Sequence, residues 1–131
     1  MEPLNPKNWP RPSGFSNGVA AQGRFVFVAG QVAFNPLSGE IESDDFVAQV
    51  RQTLANTVAV LEAGKAGPQH VCRMTWYVTD KRLYLDNLAG VGQAYRDLIG
   101  QHYPAMALVQ VVALVEDRAL VEIETTAVVP A

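Results

Sequence analysis

The stretch from Ala105 to Val115 predicts a β-strand that is apolar on both of its faces. Alternate side chains of a strand point to opposite faces of the sheet. One face would carry Met106, Leu108, Val112 and Leu114, and the other Val109, Val111 and Val115. In a chain of 131 residues with two predicted helices and short connections, the helices can cover only one face of a sheet. A second copy of the chain is the simplest cover for the other face, so the pattern predicts an obligate homo-oligomer.

The N-terminal segment predicts an irregular arm followed by a hairpin. Residues 1–13 would form the arm, because four of the chain's eight prolines lie there and disfavour both a helix and a central strand. Two short apolar runs, Val19–Ala21 and Phe25–Ala29, then flank Gln22-Gly23. Short apolar runs around a glycine turn are typical of a β-hairpin.

One long helix is predicted after the hairpin. Ser43 would cap it, with Asp44 and Asp45 placing negative charge in its first turn, and Gly64 would end it. Apolar residues recur at helical spacing and form one stripe, namely Phe46, Val50, Leu54, Val58 and Leu61.

The remainder predicts a strand, a helix and two further strands. Val71–Thr79 alternates as a strand, and Leu83–Ile99 is predicted as a helix that Gly90 and Gly92 weaken. Leu120–Val129 would return as the hairpin partner of the strand at 105–115. The order β-β-α-β-α-β-β predicts a single α+β domain, with one sheet and two helices on one face.

Composition argues against several functional classes. The net charge of −3 and the scattered lysines and arginines disfavour nucleic acid as a partner, because phosphate binding requires concentrated basic residues. The single cysteine, Cys72, excludes an intramolecular disulfide and fits a reducing compartment. No apolar stretch is long enough to span a bilayer, and we expect a cytoplasmic protein without a membrane partner.

Few residues suggest chemistry on their own. His70 and Cys72 would share a strand face, but only His102 offers a further His or Cys ligand, so no metal site is predicted. Glu122 and Glu124 project from the same face of the last strand. That face is either solvated or covered; a covered carboxylate can have a raised pKa and act as a general base or acid.

Several blocks of the sequence resemble the Rid family, also known as RidA/YjgF or L-PSP. They occur in family order across residues 13–129, nearly the whole chain. The blocks are Gly14-Phe15-Ser16, Phe27–Gln31, Asn35–Glu40, Gln52–Asn56, Leu61–Gly64, Thr75–Asp80, Tyr103–Ala105 and Val121–Glu124.

The resemblance implies a chorismate-mutase-like fold and a homotrimer with a central barrel and three small-molecule clefts between subunits. It also implies cofactor-free hydrolysis of reactive enamines and imines, such as 2-aminoacrylate. In the family an arginine grips the substrate carboxylate and a glutamate positions the attacking water. The matching glutamate is Glu122, our candidate catalytic residue. The candidate substrate-binding residues, by position, are Phe15, Gly30, Gln31, Gly92, Met106 and Leu108.

The chain departs from the family at the binding positions. Met106 stands where the family has its arginine, Leu108 replaces a cysteine, and Gly92 an asparagine. A methionine cannot form the bidentate contact of a guanidinium, so 2-aminoacrylate is disfavoured. Arg11 and Arg24 are the first alternative cations to consider. We therefore expect either an imine or enamine deaminase of altered specificity, a non-catalytic binder of an apolar or aromatic metabolite, or a structural or chaperone-like trimer.

Overall fold

The computed structural model describes residues 1–131 and has one four-stranded sheet, one two-stranded sheet and three α-helices. The strands are β1 (Glu2–Leu4), β2 (Gly18–Ala20), β3 (Arg24–Gln31), β4 (Val71–Val78), β5 (Ala105–Gln110) and β6 (Val121–Val129). The α-helices are α1 (Phe46–Ala63), α2 (Lys81–Leu85) and α3 (Leu88–Leu98), and a 3₁₀ turn covers Pro68–His70.

The main sheet has the order β3-β6-β4-β5. Strands β4 and β5 are parallel because α2 and α3 form the crossover between them, whereas β6 is antiparallel to both β3 and β4. The predicted hairpin between the last two strands is therefore wrong. The connection at 111–120 allows β6 to cross to the far side of β4, while β5 stays at the edge.

The predicted first hairpin is also wrong. β2 pairs with β1 instead, so Glu2–Leu4 forms a short strand within the segment expected to be wholly irregular. β3 pairs with β6. Gly23 is required where β3 begins to pair with β6, because a Cβ atom at this position would lie only 2.1 Å from the carbonyl oxygen of Val129. The glycine permits close approach to the end of β6 rather than a hairpin turn.

The first helix forms where the apolar stripe predicts it but begins later than expected. Asp45 is the N-cap, and its carboxylate accepts the backbone N–H of Ala48 at 2.9 Å. Ser43 accepts the N–H of Asp45 and so lies before the helix, and the two aspartates precede the first turn. The stripe is confirmed, since all its members are buried except the half-buried Val58, and the helix ends at Gly64.

The second predicted helix is divided in two at Asp86-Asn87. The Asn87 side chain donates to the carbonyl of Leu83 at 2.6 Å and turns the chain between α2 and α3. A continuous helix over residues 83–99 would turn Leu85, Leu88 and Tyr95 inward. Leu85 and Leu88 are instead exposed beside this break, whereas Tyr95 is buried.

Strand β5 is shorter than predicted. The N–H of Val111 donates to the carbonyl of Val78, where β4 ends, so no strand remains to pair with residues beyond. Val112 and Val115 are fully exposed in the irregular segment that follows.

The helices cover one face of the main sheet. The buried residues of this face include Met74, Trp76, Val78, Val121 and Ile123, which belong to one core cluster with α1 and α3. The opposite face is open: Phe25, Phe27 and Val109 are 56%, 73% and 43% exposed. The α+β class with a mixed sheet and two main helices is confirmed. No helix combines the length and the hydropathy required to cross a bilayer.

Candidate functional site

A largely apolar cleft of about 530 Å³ runs along the edge strand β5. It lies between β5, α3 and residues 13–15, and ten of its fourteen lining residues are hydrophobic. Four sequence-predicted site residues line it, namely Phe15, Gly92, Met106 and Leu108. The structure thus brings together the positions at which the chain departs from the family pattern.

Parallel pairing with β4 directs the β5 side chains into this cleft. Met106 pairs with Met74 and Leu108 with Trp76, so both point to the face that carries the core. Trp76 is 2% exposed, lines the cleft, and has an indole N–H without an acceptor in the chain. The floor therefore carries one unpaired hydrogen-bond donor, which is costly to leave unsatisfied.

Residues 13–16 are held beside the start of β5 by hydrogen bonds. The N–H of Ser16 donates to the carbonyl of Pro104 at 2.9 Å, and its hydroxyl donates to the carbonyl of Tyr103 at 2.7 Å. These contacts place Phe15, which is itself exposed, at the rim of the cleft near Met106.

Three tyrosines that sequence reasoning missed also line the cleft. Tyr95 and Tyr103 stack with ring centroids 5.8 Å apart and an interplanar angle of 12°, and Tyr84 lies on α2. Burial, followed by the nearby Tyr103, raises the pKa of Tyr95 well above its ordinary value, so this phenol stays neutral. Its hydroxyl donates to the carbonyl of His102, which directs the proton away from any ligand.

Arg96 on α3 is the cation of the cleft, and sequence reasoning missed it as well. Arg24 donates to the carbonyls of Gly64 and Lys65 instead, and Arg11 is not a lining residue. A spacing signal was present, because Leu88, Gly92 and Arg96 recur every four residues and share one face of a helix.

The predicted catalytic glutamate lies elsewhere. Glu122 on β6 is half-buried on the open face of the sheet, and its carboxylate lies against Gly30 of β3. A Cβ atom at Gly30 would be 2.3 Å from the Glu122 Oε2 atom. Gln31 pairs with Ile123, and its amide donates to the carbonyl of Ala29 at 3.1 Å.

The carboxylate of Glu124, two residues further along β6, has a different environment. The Tyr77 hydroxyl donates to Glu124 Oε1 at 2.6 Å, and this hydrogen bond is the main reason that the pKa of Tyr77 is raised. The Glu122 carboxylate is left without a hydrogen-bond donor from its own chain. It is therefore free to accept a hydrogen bond from water or a ligand.

Within one chain, Glu122 and the apolar cleft are separate. β4 lies between β6 and β5, a lateral separation of roughly 10 Å for two strand spacings. Glu122 pairs with Tyr77, whereas Leu108 pairs with Trp76, so the two side chains leave opposite faces of the sheet. We refer to Glu122 and the cleft as the two candidate half-sites of the chain.

No three His, Cys, Asp or Glu side chains cluster so that they could hold a metal ion. His70 uses its Nδ1 atom to accept the N–H of Gly67 at 3.0 Å, and the Cys72 thiol donates to the carbonyl of His70. Burial raises the pKa of the Cys72 thiol, which disfavours the thiolate that a metal would require.

Comparison with known proteins agrees with this architecture. The model of the family described as Endoribonuclease L-PSP matches residues 8–129. The crystal structure of YyfB, a Rid family protein of unknown function from Yersinia pestis, superposes with a TM-score of 0.85, at 36% identity and with 98% of each chain covered. The chain belongs to the Rid family.

Two further relatives extend the comparison within the Rid family. A RutC family protein of Pyrococcus horikoshii is 35% identical over 121 residues, covering 92% of each chain. The Escherichia coli protein TdcF, whose name describes a reactive intermediate deaminase, is 34% identical over 109 residues, covering 81% of this chain and 80% of TdcF. A crystal structure of TdcF with bound serine has a TM-score of 0.69, at 28% identity, and covers 98% of this chain and 99% of TdcF.

Proposed function

We propose that this Rid-family chain is a cofactor-free hydrolase of imines or enamines that carry an apolar or aromatic group, acting in clefts between the subunits of a homotrimer. The observation that carries the proposal is the cleft along β5. Its wall is formed by Phe15, Met106 and Leu108, and it is large enough for a small aromatic metabolite.

Assembly is supported by the open face of the sheet. Phe25, Phe27 and Val109 are partly exposed there, so covering them would gain part of the about 1.5–3 kcal/mol that complete burial of such a side chain contributes. The same face carries Glu122. Covering it with a second copy would bring Glu122 of one protomer to the interface that the edge strand β5 of its neighbour borders.

Glu122 suits the role of general base. Its carboxylate is half-buried, is unengaged within the chain, and is held against the backbone of Gly30. It would accept a proton from water as the water oxygen bonds to the imine carbon. That proton passes to the imine nitrogen as the C=N π electrons move there, which gives a carbinolamine. The hydroxyl proton of the carbinolamine then transfers to its amino group as the C–N bond breaks, so that ammonia leaves and a carbonyl product remains. Such positioned proton transfer typically contributes about 10²–10⁴-fold in rate.

The cleft disfavours 2-aminoacrylate. At the strand position of the family arginine, Met106 offers no hydrogen-bond donor to a carboxylate that enters there. A carboxylate placed against Met106 and Leu108 would lose hydration without compensation. The name of the family model also describes an endoribonuclease, and the net charge of −3 argues against RNA as the substrate.

Two alternatives remain within the family. A non-catalytic binder of an apolar metabolite would use the same cleft, and the position of Glu122 outside that cleft in a single chain favours it. A structural or chaperone-like trimer would need neither half-site.

The test measures hydrolysis of an imine generated in situ from phenylalanine by an amino-acid oxidase, with semicarbazide competing for the imine. This imine carries the same carboxylate as 2-aminoacrylate but adds an aromatic ring that the apolar cleft can bury, so we expect its turnover to exceed that of 2-aminoacrylate. We expect sedimentation to give a trimer. Tight binding of phenylpyruvate without turnover would support the non-catalytic binder. A stable monomer at micromolar concentration would overturn the proposal.

A further inference from the structure

The Arg96 guanidinium forms no salt bridge within the chain, although its charge contributes to lowering the pKa of the adjacent Asp97. The three salt bridges join Arg51 to Asp97, Arg82 to Asp86 and Arg118 to Asp44. Asp97, the residue next to Arg96, is thus paired with Arg51 at 3.0 Å. Arg96 is left without an ion-pair partner at the rim of an apolar cleft.

A neighbouring side chain orients this guanidinium. Gln93 donates from its amide nitrogen to Asp97 at 2.7 Å, and its amide oxygen accepts from Arg96 Nη2 at 3.3 Å. Only one weak hydrogen bond therefore occupies the five donors of Arg96. The remaining donors are available to a ligand.

Gly92 provides the space that the guanidinium occupies. A Cβ atom at Gly92 would lie 3.2 Å from Arg96 Nη1, which is tighter than an ordinary contact. Since glycine weakens a helix interior by about 1 kcal/mol relative to alanine, its presence on α3 requires a reason. Close approach of the Arg96 side chain, one turn further along the same helix, supplies one.

We propose that Arg96 is the anion-binding residue of this cleft and that its ligand is an aromatic carboxylic acid of the 2-oxo or 2-imino type. The carboxylate would meet the Arg96 guanidinium on α3, rather than a residue on β5. The aromatic ring would then lie against Phe15, Met106 and Leu108. This assignment rests on the proposed small-molecule function and specifies its substrate class.

The test compares phenylpyruvate with phenylacetone, which has the same ring and ketone but no carboxylate. Calorimetric titration would measure the affinity of both for the native protein and for Arg96→Gln. Charge-assisted hydrogen bonds to a guanidinium are strong, so we expect Arg96→Gln to weaken the binding of phenylpyruvate about tenfold to a hundredfold. The affinity for phenylacetone should be unchanged.

Two further variants make the result specific. Arg82→Gln removes an exposed arginine from the adjacent helix and should affect neither probe. Gly92→Ala should raise helix propensity yet weaken the binding of phenylpyruvate more than that of phenylacetone, because the guanidinium must shift by a few tenths of an ångström to clear the added Cβ.

The outcomes separate this inference from the proposed function. If Arg96→Gln lowers the affinity for both probes equally, or leaves the affinity for phenylpyruvate unchanged, the assignment of Arg96 is overturned while the cleft remains a binding site. Failure of the native protein to bind either probe would overturn the proposed function together with this inference.

Discussion

Replacing Gly30 with alanine tests the role of Glu122 without altering its charge. The new Cβ atom would lie 2.3 Å from Oε2, 2.9 Å from Cδ and 3.1 Å from Cγ of Glu122, so the carboxylate must move by about 1 Å to restore ordinary contacts. A displacement of that size at a reacting group can cost about 10²-fold in rate. We therefore expect Gly30→Ala to reduce imine hydrolysis by about that factor.

The same change should cost little stability. Gly30 is exposed, and the atoms that its Cβ would meet belong to the end of a flexible side chain. An off-rotamer glutamate costs about 0.5–1.5 kcal/mol, which corresponds to a loss of a few degrees, about 2–6 °C, in the unfolding midpoint of a chain this size. Thermal unfolding and turnover measured on one preparation would separate displacement of Glu122 from general damage to the fold.

A double-mutant cycle provides the control. If Gly30→Ala acts through Glu122, it should have no further effect on turnover in a Glu122→Gln background, because coupled residues are non-additive. Glu124 lies on the same strand face, but its carboxylate accepts a hydrogen bond from Tyr77, so Glu124→Gln should retain turnover. Full activity in Gly30→Ala, or additive losses in the double variant, would refute the assignment of Glu122 as the base.

Three further predictions concern assembly, specificity and titration. Val109→Asp should dissociate the trimer or prevent folding, because an unpaired charge would be buried; a stable trimer by sedimentation would contradict this. Met106→Arg should create affinity for pyruvate, measured by calorimetry, and no gain would argue against our placement of the site on β5. Glu124→Gln should lower the pKa of Tyr77 toward its ordinary value, measured by NMR titration, because the hydrogen bond to the Glu124 carboxylate is the largest cause of its elevation. An unchanged Tyr77 pKa would reject that cause.

Local patterns located α1, β4 and β6 closely but missed β1 and the break between α2 and α3, and they did not predict which strands pair. The stripe from Phe46 to Leu61 fixes α1 because its spacing depends on one helix alone. Neither predicted hairpin forms, because packing across the whole chain decides which strands pair with β2 and β6. Turn composition indicates where strands end but not which strands meet.

Some residues of the candidate site could be predicted from the sequence and others could not, because their roles depend on contacts between distant parts of the chain. Met106 and Leu108 were identified because the family pattern names their positions, and the structure places both in the cleft. The family pattern does not name the position of Arg96, and its spacing of four residues from Gly92 was the one signal available. Arg96 lies on an exposed helix face, where an arginine is usually only solvated. Its significance depends on Gly92 and on the pairing of Asp97 with Arg51, which are contacts between residues that only the structure connects.

Because the candidate site is divided between two faces of one sheet, we expect a mixture of two inactive variants to regain activity. Glu122→Gln lacks the base, and Met106→Glu would place a charge in the cleft that repels an acidic substrate. If Glu122 of one protomer serves the cleft of its neighbour, then a trimer assembled from both variants contains some interfaces at which a native Glu122 meets a native Met106. Random assembly of an equal mixture, after unfolding and joint refolding, should restore about a quarter of native activity. If both half-sites belonged to the same protomer, no mixed interface would be complete, and the mixture would stay as inactive as its components. Each variant should first be verified as a folded trimer by sedimentation, so that a failure to complement reflects the geometry of the site.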